Sequence, residues 1–186
     1  YITANGNGSI ERISLTGNTQ PDVTVPKNIT VKAFLLSEKA QPSITVEKYG
    51  EIQQIISFAA IGNTNVFNRG SIQSILALHP ETISSDNAAV FPLVLKSISI
   101  DAQPNTLHYQ QGEQLSLEGI CLLLTYQNHI TKIIDSPEEF SNYFITTSPS
   151  QKEALLSKHD NRPIVVQSGS IVAFTEPLAV QHEPTA

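Results

Sequence analysis

Apolar residues return along the first half of the chain with a long period: Ile10, Val31, Ile52 and Ile72 are spaced 21, 21 and 20 residues apart. In each unit a second apolar residue follows three positions later, at Ile13, Phe34, Ile55 and Ile75, and Leu15 and Leu36 extend two of the units. Upstream, Val25, Val46 and Phe67 repeat at intervals of 21. A unit this short cannot bury its own apolar side, so neighbours must stack into one continuous core. Residues 1–95 are therefore expected to form a β-solenoid. Ile13, Ser14 and Leu15 alternate as a short half-buried strand does, which predicts that the repeats contribute parallel strands. Gly8, Gly50 and Gly70 each stand two residues before the first apolar position, where glycine permits turns closed to other residues. Ile29 holds that place in the second unit.

From Lys96 the period shortens to two. Ile98 and Ile100 alternate with Ser97, Ser99 and Asp101, and Pro104-Asn105 ends the run. Leu115 and Leu117 read as a short second pair. Ile120, Leu122, Leu124 and Tyr126 share one face of the next strand, while Cys121 and Leu123 make its other face apolar, which predicts a central place in a packed sheet. Gln127-Asn128-His129 and Gln167-Ser168-Gly169-Ser170 are turn sequences that predict two hairpins, with a last strand at Leu178-Ala179-Val180. Ser136-Pro137-Glu138-Glu139 and Ser150-Gln151-Lys152-Glu153 match the capping-box pattern of a helix start. Residues 96–186 are thus expected to form a β-sandwich with two short helical turns inserted.

In the first half, Ile10-Glu11-Arg12-Ile13-Ser14-Leu15-Thr16-Gly17-Asn18 resembles a leucine-rich repeat, and Ile61-Gly62, Phe67 and Ile72-Gln73-Ser74-Ile75 resemble its bacterial BspA-like subtype. The later units depart from it, with Lys39, Ala60 and Pro80 in place of Asn18. A right-handed β-helix is the rival reading. Val23-Thr24-Val25 followed by Ile29-Thr30-Val31 alternates like two strands at a corner, and Ile44-Thr45-Val46 with Gly50-Glu51-Ile52 repeats that form. A β-sandwich in chance register is a third reading. In the second half, Ile98-x-Ile100, Pro104, Tyr109-x-x-Gly112-Glu113-x-Leu115-x-Leu117-x-Gly119-Ile120 and Tyr126 resemble the bacterial Ig-like domain of group 3. That resemblance implies an Ig-like sandwich and supplies no catalytic residues.

Composition narrows the function. The 40% hydrophobic content excludes a wholly disordered chain, and 15% charged residues leaves Ser, Thr, Asn and Gln to cover the surface. A net charge of −6 with 11 scattered Lys and Arg argues against nucleic-acid binding. No apolar run approaches the roughly 20 residues of a membrane-spanning helix. The single cysteine, Cys121, cannot close a disulfide within the chain and reads as a small buried hydrophobe. Because the chain starts at Tyr1, removal of a leader segment is expected, and with it export to the extracellular space or cell surface of a bacterium.

Candidate chemistry is sparse. His79, His108, His129, His159 and His182 lack the close pairing of a zinc site. Gly6-x-Gly8 lacks the third glycine and helix of a dinucleotide loop. Glu138-Glu139 fit a helix start better than a glycosidase pair, and Asp86-Asn87 and Asp160-Asn161 fit turns better than calcium loops. No enzyme activity, cofactor or metal is expected. The pattern points to a binding or adhesion module, a repeat scaffold presented by an Ig-like spacer. Its contacts are expected from the positions between the apolar ones: Glu11, Arg12, Ser14, Lys32, Gln53, Gln54, Gln73 and Ser74. The expected partner is a host or bacterial surface protein or a glycan. A carbohydrate-active or carbohydrate-binding accessory domain and a purely structural stalk segment are the alternatives.

Overall fold

The computed structural model describes residues 2–3, 7–37, 39–60 and 62–181, so that Gly6, Ile61 and His182 lie outside the described residues. The chain divides into two compact units, Tyr1–Leu93 and Val94–Ala186.

The first unit is a β-solenoid of about four turns. Its strands run β1 (Ile2–Thr3), β2 (Gly8–Leu15), β3 (Asp22–Val25), β4 (Ile29–Leu36) and β5 (Ser43–Val46). They continue as β6 (Glu51–Ser57), β7 (Thr64–Asn68), β8 (Ser71–Ala77), β9 (Ile83–Ser85) and β10 (Val90–Pro92). Odd strands form one sheet and even strands a second, and every pairing in both is parallel. Each turn therefore lays one strand in each sheet, the two-strand corner read from Val23–Val25 and Ile29–Val31. All-parallel pairing between successive turns overturns the sandwich reading of this half, because a sandwich is built from antiparallel strands.

Register follows the sequence period. Ile10, Val31, Ile52 and Ile72 pair in a row across the even sheet, as do Ile13, Phe34, Ile55 and Ile75. With Val23, Val25, Ile44, Val46 and Val66 from the odd sheet they form one core between the two sheets. Phe67 departs from the expected column. Val46 pairs with Asn68, and Phe67 pairs with Thr45, whose row alternates away from the core. The coil is one residue longer here, so Phe67 stands 50% exposed while Val66 turns inward.

The glycine positions also differ in detail. The left-handed residue of the corner is the one before the glycine position, Asn28 at φ 63° and Tyr49 at φ 68°. Gly50 and Gly70 are needed for close approach instead. A Cβ at Gly50 would stand 2.7 Å from the Val25 carbonyl oxygen, and one at Gly70 only 2.3 Å from that of Gly50.

The second unit is also built of strands: β11 (Leu95–Ala102), β12 (His108–Gln110), β13 (Cys121–Tyr126), β14 (Thr131–Ile134), β15 (Thr146–Ser148), β16 (Pro163–Ser168), β17 (Ile171–Pro177) and β18 (Ala179–Gln181). Strands β11-β13-β14 and β15-β16-β17 make two antiparallel three-stranded sheets, and β12 pairs in parallel with β18. Both expected hairpins form. Asn128 (φ 58°) and His129 (φ 59°) turn β13 into β14, and Gly169 (φ 58°) turns β16 into β17. Ile120, Leu122, Leu124 and Tyr126 are all buried, and β13 is the central strand of its sheet.

Three expectations for this unit need correction. Leu115 and Leu117 are buried but lie in irregular backbone, held by Leu115 N–H donating to the Glu153 carbonyl at 2.9 Å. Ser136 precedes a 3₁₀ helix (Pro137–Tyr143) without a side-chain cap. Glu153 does reach back to the Ser150 N–H at 2.8 Å, but the segment closes as a turn rather than a helix.

Cys121 is only half-buried, because the side of β13 it shares with Leu123 and Thr125 is not fully covered. Partial burial, the nearby Asp101 and Asp135 carboxylates, and a 3.9 Å contact from Sγ to Asp101 push its thiol pKa up. The unfolded chain then releases this proton more readily than the folded one, so this group lowers stability as pH rises above about 8.5. Iodoacetamide should alkylate native Cys121 more slowly at pH 8 than it alkylates the urea-unfolded chain, and Asp101→Asn should narrow the gap. Equal native and unfolded rates would contradict this reading.

Candidate functional site

Core positions three apart cannot both face inward on a strictly alternating strand, so β2, β4, β6 and β8 each slip by one residue between them. Two side chains per strand are thereby turned outward together: Glu11 and Arg12, Lys32 and Ala33, Gln53 and Gln54, Gln73 and Ser74. Arg12, Ala33, Gln54 and Ser74 pair in register, while Glu11, Lys32, Gln53 and Gln73 fall between paired positions. Ser14 lies two residues further on and opens a row completed by Leu35, Ile56 and Leu76. All eight predicted contact residues thus stand on the outer side of the even sheet, and none of them is buried.

This side is laced by contacts between successive turns. Lys32 Nζ lies 2.6 Å from Glu11 Oε1, an exposed pair of the kind worth about 0–1 kcal/mol. Glu51 is held from both sides, accepting from the Thr30 hydroxyl at 3.2 Å and from Gln73 Nε2 at 2.6 Å. Ser74 Oγ donates to the Gln53 carbonyl at 3.4 Å. The result is a fixed array of carboxamides, hydroxyls and charges repeating at the strand spacing of about 4.8 Å. Such an array can exchange hydrogen bonds with an extended polar ligand. The row of Leu35, Ile56 and Leu76 bounds it on one side, with Ile56 and Leu76 both buried.

Its other boundary is the corner where odd strands pass into even ones. Here Lys48, Tyr49, Gly50, Glu51, Arg69, Gly70 and Ser71 line an open recess of about 540 Å³. Gly70 lets the short Asn68-Arg69-Gly70 turn lie directly on the Glu47–Gly50 backbone, which makes the floor. That floor is internally bonded: Ser71 N–H donates to the Gly50 carbonyl at 3.0 Å, and Gly70 N–H to Asn68 Oδ1 at 3.1 Å. What the recess offers is side chains. Lys48 Nζ sits 5.1 Å from the centroid of the Tyr49 ring, and the ring itself is 71% exposed. Among the described residues, neither Lys48 nor Arg69 has a carboxylate within ion-pairing distance.

No protein-family model matches this chain. Comparison with curated proteins and with solved structures finds no match either.

Four of the remaining sequence candidates hold structure together. Asp86 Oδ1 accepts from Asn68 N–H at 2.8 Å, and Asn87 Nδ2 donates to the Asn68 carbonyl at 3.2 Å. Asp160 Oδ1 accepts from Val180 N–H at 2.9 Å. His159 Nδ1 accepts from Leu156 N–H at 3.0 Å, which leaves its proton on Nε2, 3.7 Å from Glu153. Among the described residues, no three His, Cys, Asp or Glu side chains gather as metal ligands would. Sequence reasoning passed over Lys48, Tyr49 and Arg69. The signal was present: Lys48-Tyr49-Gly50 occupies the corner held one turn earlier by Lys27-Asn28-Ile29, with a bulky ring where a residue tolerant of left-handed backbone would cost least.

Proposed function

We propose that this chain is a non-enzymatic binding module of an exported bacterial protein, its solenoid recognising a surface protein or glycan. The carrying observation is the outer side of the even sheet, where contact positions from four successive turns form one polar array. Repeat scaffolds recognise ligands through such extended surfaces, because each turn adds the same contact at a fixed step. In this reading the first unit is a leucine-rich-repeat-like coil and the second an Ig-like spacer. Support for the spacer comes from the two antiparallel sheets of the second unit and from the buried Ile120, Leu122, Leu124 and Tyr126.

A binding screen against bacterial and host surface proteins and a glycan array tests the proposal. The double variant Gln53→Ala/Gln73→Ala should weaken the ligand so found by roughly tenfold, since two hydrogen bonds of about 0.5–1.5 kcal/mol each are lost. Unchanged affinity in a variant that still folds would remove the strand face from the recognition surface.

A further inference from the structure

Tyr49 is held where its own backbone opposes it. At φ 68° it occupies the left-handed region, which is unfavourable for a residue with a Cβ, and Asn28 fills the matching corner one turn earlier. The two corners are coupled, with Asn28 N–H donating to the Tyr49 carbonyl at 3.0 Å. Closing the turn does not require an aromatic, since Asn28 closes the matching corner at φ 63°. Its ring does not repay the strain by packing, since most of it faces solvent.

The surroundings of the ring indicate what it would hold. Lys48 and Arg69 bring two cations to one recess in a chain whose net charge is −6, and among the described residues no carboxylate forms an ion pair with either. Glu51 is on the wall and keeps its charge, its oxygens turned to the neutral donors Thr30 and Gln73, so the recess carries two cations against one carboxylate. An aromatic face beside two cations, continuous with a row of carboxamides and hydroxyls, is complementary to a ligand that is apolar on one face, rich in hydroxyls at its rim and negatively charged.

We infer that the Lys48-Tyr49-Arg69 corner is a subsite for an acidic sugar unit of a polysaccharide. The pyranose ring stacks on Tyr49, its carboxylate or sulfate lies between Lys48 and Arg69, and the chain continues over Gln53 and Gln73. This rests on the solenoid being a recognition surface and adds the ligand class and a second anchor point.

The test uses the whole chain, with polygalacturonate and dextran sulfate as carboxylated and sulfated probes, neutral dextran as control, and a poly-glutamate peptide as the protein-like anion. Tyr49→Asn is the informative variant, because asparagine relieves the backbone strain. It should raise the melting temperature while weakening the acidic polysaccharides at least tenfold. Arg69→Ala should weaken them in a salt-dependent manner and leave dextran unaffected. Retention of one acidic polysaccharide over the other identifies carboxylate or sulfate as the preferred charge. Binding lost in Gln53→Ala/Gln73→Ala but kept in Tyr49→Asn and Arg69→Ala overturns the corner and leaves the strand face standing. Equal binding of poly-glutamate overturns the sugar assignment, and failure of all four probes overturns the subsite, leaving protein ligands from the broader screen to decide the function itself.

Discussion

Replacing Phe34 by alanine should cost the first unit about 3–5 kcal/mol, a large part of the roughly 5–15 kcal/mol that holds an ordinary domain together. Phe34 is fully buried and pairs with Ile13 on one turn and Ile55 on the next, so its ring spans the core between three turns. Truncation removes apolar surface and leaves a void that the two sheets cannot close, because each is tied to its neighbours by parallel pairing along its length. Denaturant unfolding followed by circular dichroism should show a markedly lower midpoint for Phe34→Ala. Phe67→Ala is the control. The 21-residue spacing puts Phe67 in a column with Val25 and Val46, yet the register places it outward, so its loss should cost less than about 1 kcal/mol. Comparable losses at the two positions would contradict the register described here.

The contrast between these phenylalanines marks how far the fold was legible. Apolar period alone located the even-sheet strands, since Ile10, Val31, Ile52 and Ile72 have to meet if any core is to form. It failed at Phe67 because a one-residue insertion in a corner leaves the spacing of apolar residues intact while reversing which of them points inward. In the second unit, alternation found β13 and the turn residues found both hairpins, as these are local properties. The irregular backbone around Leu115 was hidden for the opposite reason. Its partners at Lys152 and Glu153 are distant in sequence, and only the folded chain brings them together. The recess at Tyr49 followed the same rule: Arg69 and Lys48 belong to different turns, and their proximity depends on Gly70.

Gly70 is a second position at which the solenoid resists change, and Gly70→Ala should destabilise the first unit by roughly 3 kcal/mol, the upper end of ordinary overpacking costs. An added Cβ would meet the Gly50 carbonyl oxygen at 2.3 Å and the Glu47 carbonyl oxygen at 2.5 Å. Both are backbone atoms of the previous turn, so relief requires the two turns to separate rather than a side chain to rotate. That separation would lengthen the 3.0 Å bond from Ser71 N–H to the Gly50 carbonyl and break the floor of the recess. Gly8 stands at the corresponding place in its own turn, but a Cβ there meets nothing within 4 Å. Gly8→Ala should therefore be neutral or slightly stabilising, since alanine restricts the unfolded chain more than glycine does. Thermal melts of the two variants read the difference directly. Equal melting temperatures would mean that the turns can part without cost, and the rigid corner assigned to Tyr49, Lys48 and Arg69 would lose its foundation.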